Sequence, residues 1–350
     1  MIAASASGRP GSERARASDG PTAEPSRTAG VEPDVTDLLA RRLLFVTGKG
    51  GVGKTTVAAA LGLLASEQGL RTLVCEVEPK GDLSFAYECG PTPFQGRHVA
   101  ANLTAMSMDT EASLREYLHH VARVPVIGRI GPVARAFDFV ATAAPGIREI
   151  LTIGKLCYEV REHHYDLVVV DAAATGHVVG QLAAPTGINE LVRVGLVRNQ
   201  TDWMLEILRD AQQTGVVLVT TPEEMPVSEA IDLAGRLSDE TPVHLACVIA
   251  NRVLPELFGR AEEQVFDRLV EPLAVDWLAG RLSASPADVV SVLAAARLAV
   301  TIRRDGSAHL ERLRLAIGAD APLMYVPYLF SRAHGIRAIR QVAQSLGEEL

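Results

Sequence analysis

The chain has 350 residues, of which 48% are hydrophobic, and a formal net charge of −8 at pH 7. A chain of this length can bury a large core, so we expect one large domain or a domain with an insertion. The acidic balance argues against non-specific nucleic-acid binding, which needs an excess of Lys and Arg. No apolar run is long enough to cross a bilayer, which argues against stable membrane insertion.

Residues 1–37 are rich in Ala, Ser, Gly, Pro and Arg and show no periodicity. They are predicted to form a disordered tail ahead of a folded domain at 38–350. They lack the continuous apolar core of a secretory signal. A start codon assigned too far upstream explains the same composition equally well.

The four cysteines are Cys75, Cys89, Cys157 and Cys247. They are widely separated, form no C-x-x-C pair and offer no disulfide framework. This pattern is typical of a reducing compartment, so we expect a cytoplasmic location.

The first predicted strand, Leu43–Val46, is followed by a glycine-rich loop and a helix-like run from Val57 to Ser66. Strand, loop and helix together are the context of a phosphate-binding loop. Its glycines let backbone N–H groups turn toward phosphate oxygens. Lys54 would reach the β- and γ-phosphates, and the Thr55 hydroxyl would bind Mg²⁺. The loop residues are Gly48, Lys49, Gly50, Gly51, Val52, Gly53, Lys54, Thr55 and Thr56.

Short apolar runs alternate with amphipathic helical stretches along most of the chain. The predicted strands are Leu43–Val46, Thr72–Val77, Leu167–Val170, Val216–Thr220, His244–Ala250 and Leu323–Val326. This alternation predicts an α/β fold with a doubly wound, mostly parallel sheet flanked by helices. It stops at about 84–165 and 254–315, which we interpret as helical insertions on one face of a single P-loop ATPase domain.

Acidic residues follow two of the predicted strands. Glu78, after the second strand, is expected to orient or deprotonate an attacking water, with Asp82 as a reserve candidate. Asp171 ends the strand Leu167–Val170 and would hold Mg²⁺ through a water molecule. Gly176, five residues later, can bring its N–H group close to a γ-phosphate.

Together these motifs resemble the arsenite-pump and tail-anchored-protein-targeting ATPases, the ArsA group of the deviant Walker A class that includes MinD and ParA. The resemblance runs from about Arg41 to the C-terminus. Besides the loop, it rests on Asp171–His177, similar to the family's D-T-A-P-T-G-H, on Pro145–Glu149, and on Thr221–Glu224.

The resemblance implies ATP and Mg²⁺ as cofactors and a dimer, either a homodimer or a heterodimer with a paralogous ATPase. Lys49 would reach across the dimer interface to the partner's nucleotide. Asn251 would read the edge of adenine, since its side-chain amide can both donate and accept. Pro327 lies in a second loop expected to flank the base.

One departure from the family pattern affects the expected rate. Glu78 stands before Pro79 where the family has Asp, and its extra methylene shifts the carboxylate by about an ångström or more. A misplacement of that size costs around 10²-fold in rate, so we expect slow hydrolysis. The scattered thiols also provide no cluster for soft metal ions.

The leading hypothesis is a dimeric ATPase whose nucleotide-dependent closure controls binding of an unknown client or partner protein. Two alternatives stay open. One is a non-hydrolysing subunit of a heterodimer with a paralogous ATPase, suggested by Glu78. The other is a positioning ATPase like MinD or ParA, which the acidic C-terminal end disfavours because anionic lipids repel it.

Overall fold

The computed structural model describes residues 38–120, 146–191, 194–318, 321–330 and 334–350. These residues all belong to one unit, Pro33–Leu350. The predicted disordered tail lies outside the described residues, and so does the middle of the first predicted insertion.

Eight strands form a single sheet in the order β3-β4-β2-β5-β1-β6-β7-β8. They are β1 (Leu43–Gly48), β2 (Thr72–Glu76), β3 (Arg97–Ala100), β4 (Leu103–Ser107), β5 (Leu167–Asp171), β6 (Thr214–Thr220), β7 (Leu245–Val253) and β8 (Leu323–Pro327). Among the strands that the structure describes, only the β3–β4 pair is antiparallel. The central strands are buried on both faces, which explains their nearly continuous apolar sequences.

Helices cover both faces of the sheet. In chain order the described helices are α1 (Lys54–Glu67), α2 (Asp82–Tyr87), α3 (Thr110–His120), α4 (Ile147–Arg161), α5 (Thr175–Leu191), α6 (Leu196–Arg209), α7 (Glu224–Glu240), α8 (Arg260–Leu269), α9 (Pro272–Leu282), α10 (Pro286–Ile317) and α11 (Gly335–Glu349). One hydrophobic core lies between the sheet and α4 to α7 with the end of α10, and a second lies under α1, α2 and α11. The predicted doubly wound α/β fold is therefore confirmed.

The predicted helical insertion at about 84–165 is not helical throughout, because β3 and β4 lie within it. Both strands are only four or five residues long, and polar residues interrupt their apolar pattern. Strand β4 exists because Leu103–Ser107 pairs in parallel with Thr72–Glu76, one strand in from the sheet edge. A pairing between distant segments leaves little trace in local periodicity. Between 254 and 315, the range of the second predicted insertion, the described chain forms α8, α9 and most of α10.

The topology brings three strand ends together at one edge of the sheet. Strand β1 lies between β5 and β6, and Val46 is in register with Asp171. On the other side of β5, Glu76 is in register with Asp171. The connections after β1 and β5 pass to opposite faces, which opens a crevice at the carboxyl ends of the strands, the usual ligand site of such sheets.

No single helix among the described residues meets the length and hydropathy expected of a membrane span. One bent pair, α9 with α10 at 110°, meets them jointly by length and composition.

Candidate functional site

The loop after β1 has the backbone geometry that its glycines predict. Gly48, Gly51 and Gly53 have φ angles of 147°, 87° and 97°, a region that L side chains rarely adopt. A methyl group on Gly48 would overlap the carbonyl oxygen of Val219 on β6. The glycines therefore let the loop turn sharply between β1 and the first residue of α1, Lys54.

Thr55 and Asp171 form the closest polar contact at the site. The Thr55 hydroxyl donates to Asp171 Oδ2 at 2.6 Å. The other carboxylate oxygen, Oδ1, is buried and has no hydrogen-bond partner. Burial raises the pKa of Asp171 to about 6, although the Thr55 hydrogen bond opposes the shift. A hydroxyl beside a carboxylate with a vacant oxygen is the hard donor set that Mg²⁺ prefers, so these residues fit the ion.

Lys54 lies beside this pair. Its ammonium donates to the carbonyl oxygen of Lys49 at 3.3 Å. Burial lowers the pKa of Lys54, and the nearby Asp171 carboxylate opposes that shift. A partly buried ammonium at the start of a helix is well placed to bind phosphate.

A cavity of about 520 Å³ extends from these residues toward α2 and α11. Its volume falls within the range of about 300 to 1,000 Å³ typical of small-molecule sites. The lining residues are Gly50, Gly51, Gly53, Lys54, Thr55, Thr56, Glu76, Glu78, Lys80, Asp82, Phe85, Ala86, Asp171, Ala172, Ala174, Arg252, His334, Gly335, Ala338 and Ile339.

Most residues predicted from the loop and strand ends meet in this cavity. Six loop residues line it together with Glu78 and Asp171. Six other predicted residues are not part of the lining: Gly48, Lys49, Val52, Gly176, Asn251 and Pro327. Gly176 lies in the first turn of α5, and Pro327 is the exposed last residue of β8.

Asn251 is buried at the carboxyl end of β7 and contacts the loop. Its Nδ2 donates to the carbonyl oxygen of Val52 at 2.8 Å, and its Oδ1 accepts from the Arg252 N–H at 2.9 Å. The amide thus links β7 to the phosphate loop. Arg252, with a φ angle of 58°, is the β7 residue that reaches the cavity wall.

Lys49 is bound within its own chain. Its ammonium lies 2.6 Å from Glu229 Oε1 on α7, and the two side chains are 27% and 38% exposed. Reaching a nucleotide on another subunit would therefore require Lys49 to leave Glu229.

The acid predicted to activate water is also in an ion pair. Glu78 Oε2 lies 2.7 Å from the Lys80 ammonium. The hydrogen bond from Lys80 lowers the pKa of Glu78. Held this way, the Glu78 carboxylate is a weaker base than a free glutamate.

Glu76 is a cavity residue that the motifs did not select. It is 2% exposed and accepts hydrogen bonds from the backbone N–H groups of Asp82 at 3.0 Å and Gly81 at 3.4 Å. The Ser107 hydroxyl on β4 donates to it at 3.1 Å. Glu76 therefore anchors the turn that carries Glu78. Its position at the end of a buried strand was the sequence feature that could have identified it.

A glycine loop, a partly buried lysine and a hydroxyl–carboxylate pair at parallel strand ends define a P-loop nucleotide-binding protein. Comparison with known families narrows this class. The family model described as anion-transporting ATPase matches residues 41–205 and 194–265. The chain therefore belongs to the ArsA-type ATPase family, and it is an ATPase. The family resemblance inferred from the motifs is confirmed.

Several known proteins are similar to the chain. ATPase BagA of Mycobacterium tuberculosis is 33% identical over 243 residues, covering 66% of this chain and 68% of the relative. ATPase ASNA1 homolog 1 of Paramecium tetraurelia is 31% identical over 181 residues, covering 47% and 52%. ATPase get3 of Schizosaccharomyces japonicus is 32% identical over 174 residues, covering 46% and 52%.

Proposed function

We propose that the cavity beside the phosphate loop binds ATP with Mg²⁺, and that ATP-dependent closure of a dimer controls binding of a client or partner protein. The observation that carries the nucleotide assignment is the Thr55–Asp171 pair, with its vacant buried oxygen, next to Lys54. Thr55 and Asp171 supply oxygen ligands for Mg²⁺, and the Lys54 ammonium supplies a positive charge for the phosphates.

In this proposal the nucleotide phosphates lie against the loop N–H groups and Lys54. Thr55 and Asp171 would hold Mg²⁺, which supplies positive charge that stabilises the transferring phosphoryl group. The loop, with Gly51 and Gly53 in left-handed conformations, orients the phosphates.

The far end of the cavity is proposed for the base. Arg252 lines it directly after Asn251, and α11 contributes Gly335 and Ile339. Asn251 and Pro327 remain the residues proposed to flank adenine. Because the Asn251 amide now holds the loop at Val52, base recognition by Asn251 would require it to exchange that contact.

Hydrolysis is proposed to use Glu78 as the proton acceptor. A water oxygen forms a bond to the γ-phosphorus while the bond from that phosphorus to the β–γ bridging oxygen breaks. ADP and inorganic phosphate result, and the water proton passes to the Glu78 carboxylate and then to solvent. Pairing with Lys80 weakens Glu78 as a base as long as the pair is intact, so the need to break it supports a slow reaction.

Dimer closure is proposed to use Lys49 and Gly176. Lys49 would break its ion pair with Glu229 and bind the nucleotide of the partner subunit. The Gly176 N–H group would contact the γ-phosphate. Loss of that phosphate after hydrolysis would reopen the dimer. The partner subunit is either a second copy of this chain or a paralogous ATPase.

The test is steady-state phosphate release by the purified full chain with Mg-ATP, compared with Lys54→Ala. Removing the Lys54 ammonium should abolish ATP binding and turnover, because the other lysine of the loop, Lys49, is paired with Glu229. Equal ATP affinity in the two proteins would overturn the assignment of this cavity. ATP binding without turnover in the unmodified chain would favour a heterodimer, which mixing with a paralogue would then test.

A further inference from the structure

Lysine is rare in this protein. Only four of the 34 Lys and Arg residues are lysine, namely Lys49, Lys54, Lys80 and Lys155. The two side chains differ in chemistry, since lysine carries a compact point charge and arginine a planar fork. Lys49 and Lys54 belong to the phosphate loop, and Lys155 forms a largely buried ion pair with Glu159. Lys80 belongs neither to the phosphate loop nor to a buried ion pair, so its presence needs another explanation.

Lys80 lies on the turn between β2 and α2, where it faces the phosphate loop. It lines the same cavity as Lys54, Thr55 and Asp171. Its side chain is 66% exposed, so packing does not require it. On its other side the turn borders a second cavity of about 910 Å³, which Lys80 and Glu78 also line.

The base of this turn is held by hydrogen bonds, and the side chains of Glu78 and Lys80 at its tip are exposed. Glu76 holds the N–H groups of Gly81 and Asp82, which anchors the residues immediately after Lys80. The side chains of Glu78 and Lys80 are held chiefly by one another. An ion pair that exposed is weak, so a more highly charged ligand can displace it.

Lys80 and Lys54 place two ammonium groups on the wall of one cavity. Two ammonium groups that repel one another across a cavity are both stabilised by an anion placed between them.

We propose that Lys80 is a further phosphate-binding residue of this ATPase, and that its ammonium moves from Glu78 to the γ-phosphate when ATP binds. Glu78 is thereby released to accept the proton of the attacking water. The inference rests on the proposed function, because it requires ATP in this cavity and Glu78 as the acceptor. ADP lacks the γ-phosphate, so Lys80 returns to Glu78 once phosphate has left.

The test measures the dissociation constants of Mg-ATP and Mg-ADP separately, by calorimetry on the full chain. Lys80→Ala should weaken ATP binding about tenfold, a loss of about 1.4 kcal/mol, and ADP binding less than about twofold. Arg236→Ala is the matched control, since Arg236 also forms an exposed ion pair, with Glu240 at 2.9 Å on α7. It should change neither constant.

Glu78→Gln distinguishes phosphate binding from a structural role of the pair. It removes the partner but keeps the ammonium, so it should retain or improve ATP affinity while turnover falls. An ATP-to-ADP affinity ratio unchanged by Lys80→Ala would overturn the proposal. So would a Glu78→Gln protein that weakens ATP binding as much as Lys80→Ala does.

Lys54→Ala separates this inference from the proposed function. If it binds both nucleotides normally, the cavity is not the nucleotide site and the proposed function fails. If it binds neither while Lys80→Ala keeps the normal ratio, only the role of Lys80 is wrong. Equal melting temperatures of the variants exclude misfolding as the cause.

Discussion

Asp171 is buried, although its proposed role in holding Mg²⁺ requires it to be charged. Only 7% of the residue is exposed, and burial raises the pKa from its ordinary value of 3.8 to about 6. Between about pH 4 and 6 the folded chain therefore binds more protons at Asp171 than the unfolded chain does. Stability falls as pH rises through that window, and the cost is fully present above it. Mg²⁺ would offset this cost by stabilising the charged form.

Replacing Asp171 with Asn should stabilise the nucleotide-free protein at neutral pH. The amide keeps an acceptor for Thr55 and removes the buried charge, so the free energy of unfolding should rise by up to about 3 kcal/mol at pH 7. Urea unfolding at several pH values measures the gain, which should shrink toward pH 4.

The control for this prediction is Asp166→Asn. Arg71 lowers the pKa of Asp166 through hydrogen bonds, so its removal should give no gain at pH 7. A stabilisation by Asp171→Asn that is the same at pH 4 and pH 7 would show that charge burial is not its cause.

At the scale of elements, the unit made of β1, the glycine loop and α1 depends on close contact with β6. Gly48 leaves no room for a side chain beside the carbonyl oxygen of Val219. It also has a φ angle of 147°, which disfavours any residue with a Cβ atom. The same glycine therefore serves both the sheet packing and the loop.

Gly48→Ala should lower the free energy of unfolding by about 2 kcal/mol or more, because the ends of β1 and β6 must separate. Gly50→Ala is the matched control in the same loop, since a methyl group there meets no atom within 4 Å. It should cost less than about 1 kcal/mol. Thermal unfolding compares the two, and equal losses would contradict the packing argument.

The elements themselves were predictable to different degrees. Strands β1 and β5 are continuous apolar runs because both of their faces are buried, so local sequence was sufficient. Strands β3 and β4 were missed because they are short, and their existence depends on pairing with β2 and with each other. Helices α8 to α10 were predicted as a helical block from their amphipathic pattern.

At the scale of the whole molecule, the Lys49–Glu229 ion pair links the loop to α7 across 180 positions of the chain. If closure requires Lys49 to reach a partner subunit, this pair stabilises the open chain. Breaking it should therefore favour the closed dimer.

Glu229→Gln should lower the protein concentration needed for ATP-dependent dimerisation by about two- to fivefold, the effect of losing one partly exposed ion pair. Lys49→Ala should bind ATP but form no closed dimer. Analytical ultracentrifugation with Mg-ATP measures both.

Two outcomes would contradict this account. A normal ATP-dependent dimer formed by Lys49→Ala would remove the role of Lys49 across the interface. Weaker dimerisation of Glu229→Gln than of the unmodified chain would mean that Glu229 acts within the dimer instead of opposing it.

The sequence by itself determined the phosphate loop, the strand-end acid Asp171 and the α/β class, because each depends on neighbouring residues and on local periodicity. Tertiary structure alone decided which side chains share the cavity. It placed Asn251 on the Val52 carbonyl and Lys49 on Glu229, contacts between segments about 200 and 180 positions apart. It also added Glu76, whose role depends on Ser107 of a neighbouring strand. The physical reason is that a parallel sheet gathers its strand ends at one edge whatever their distance along the chain.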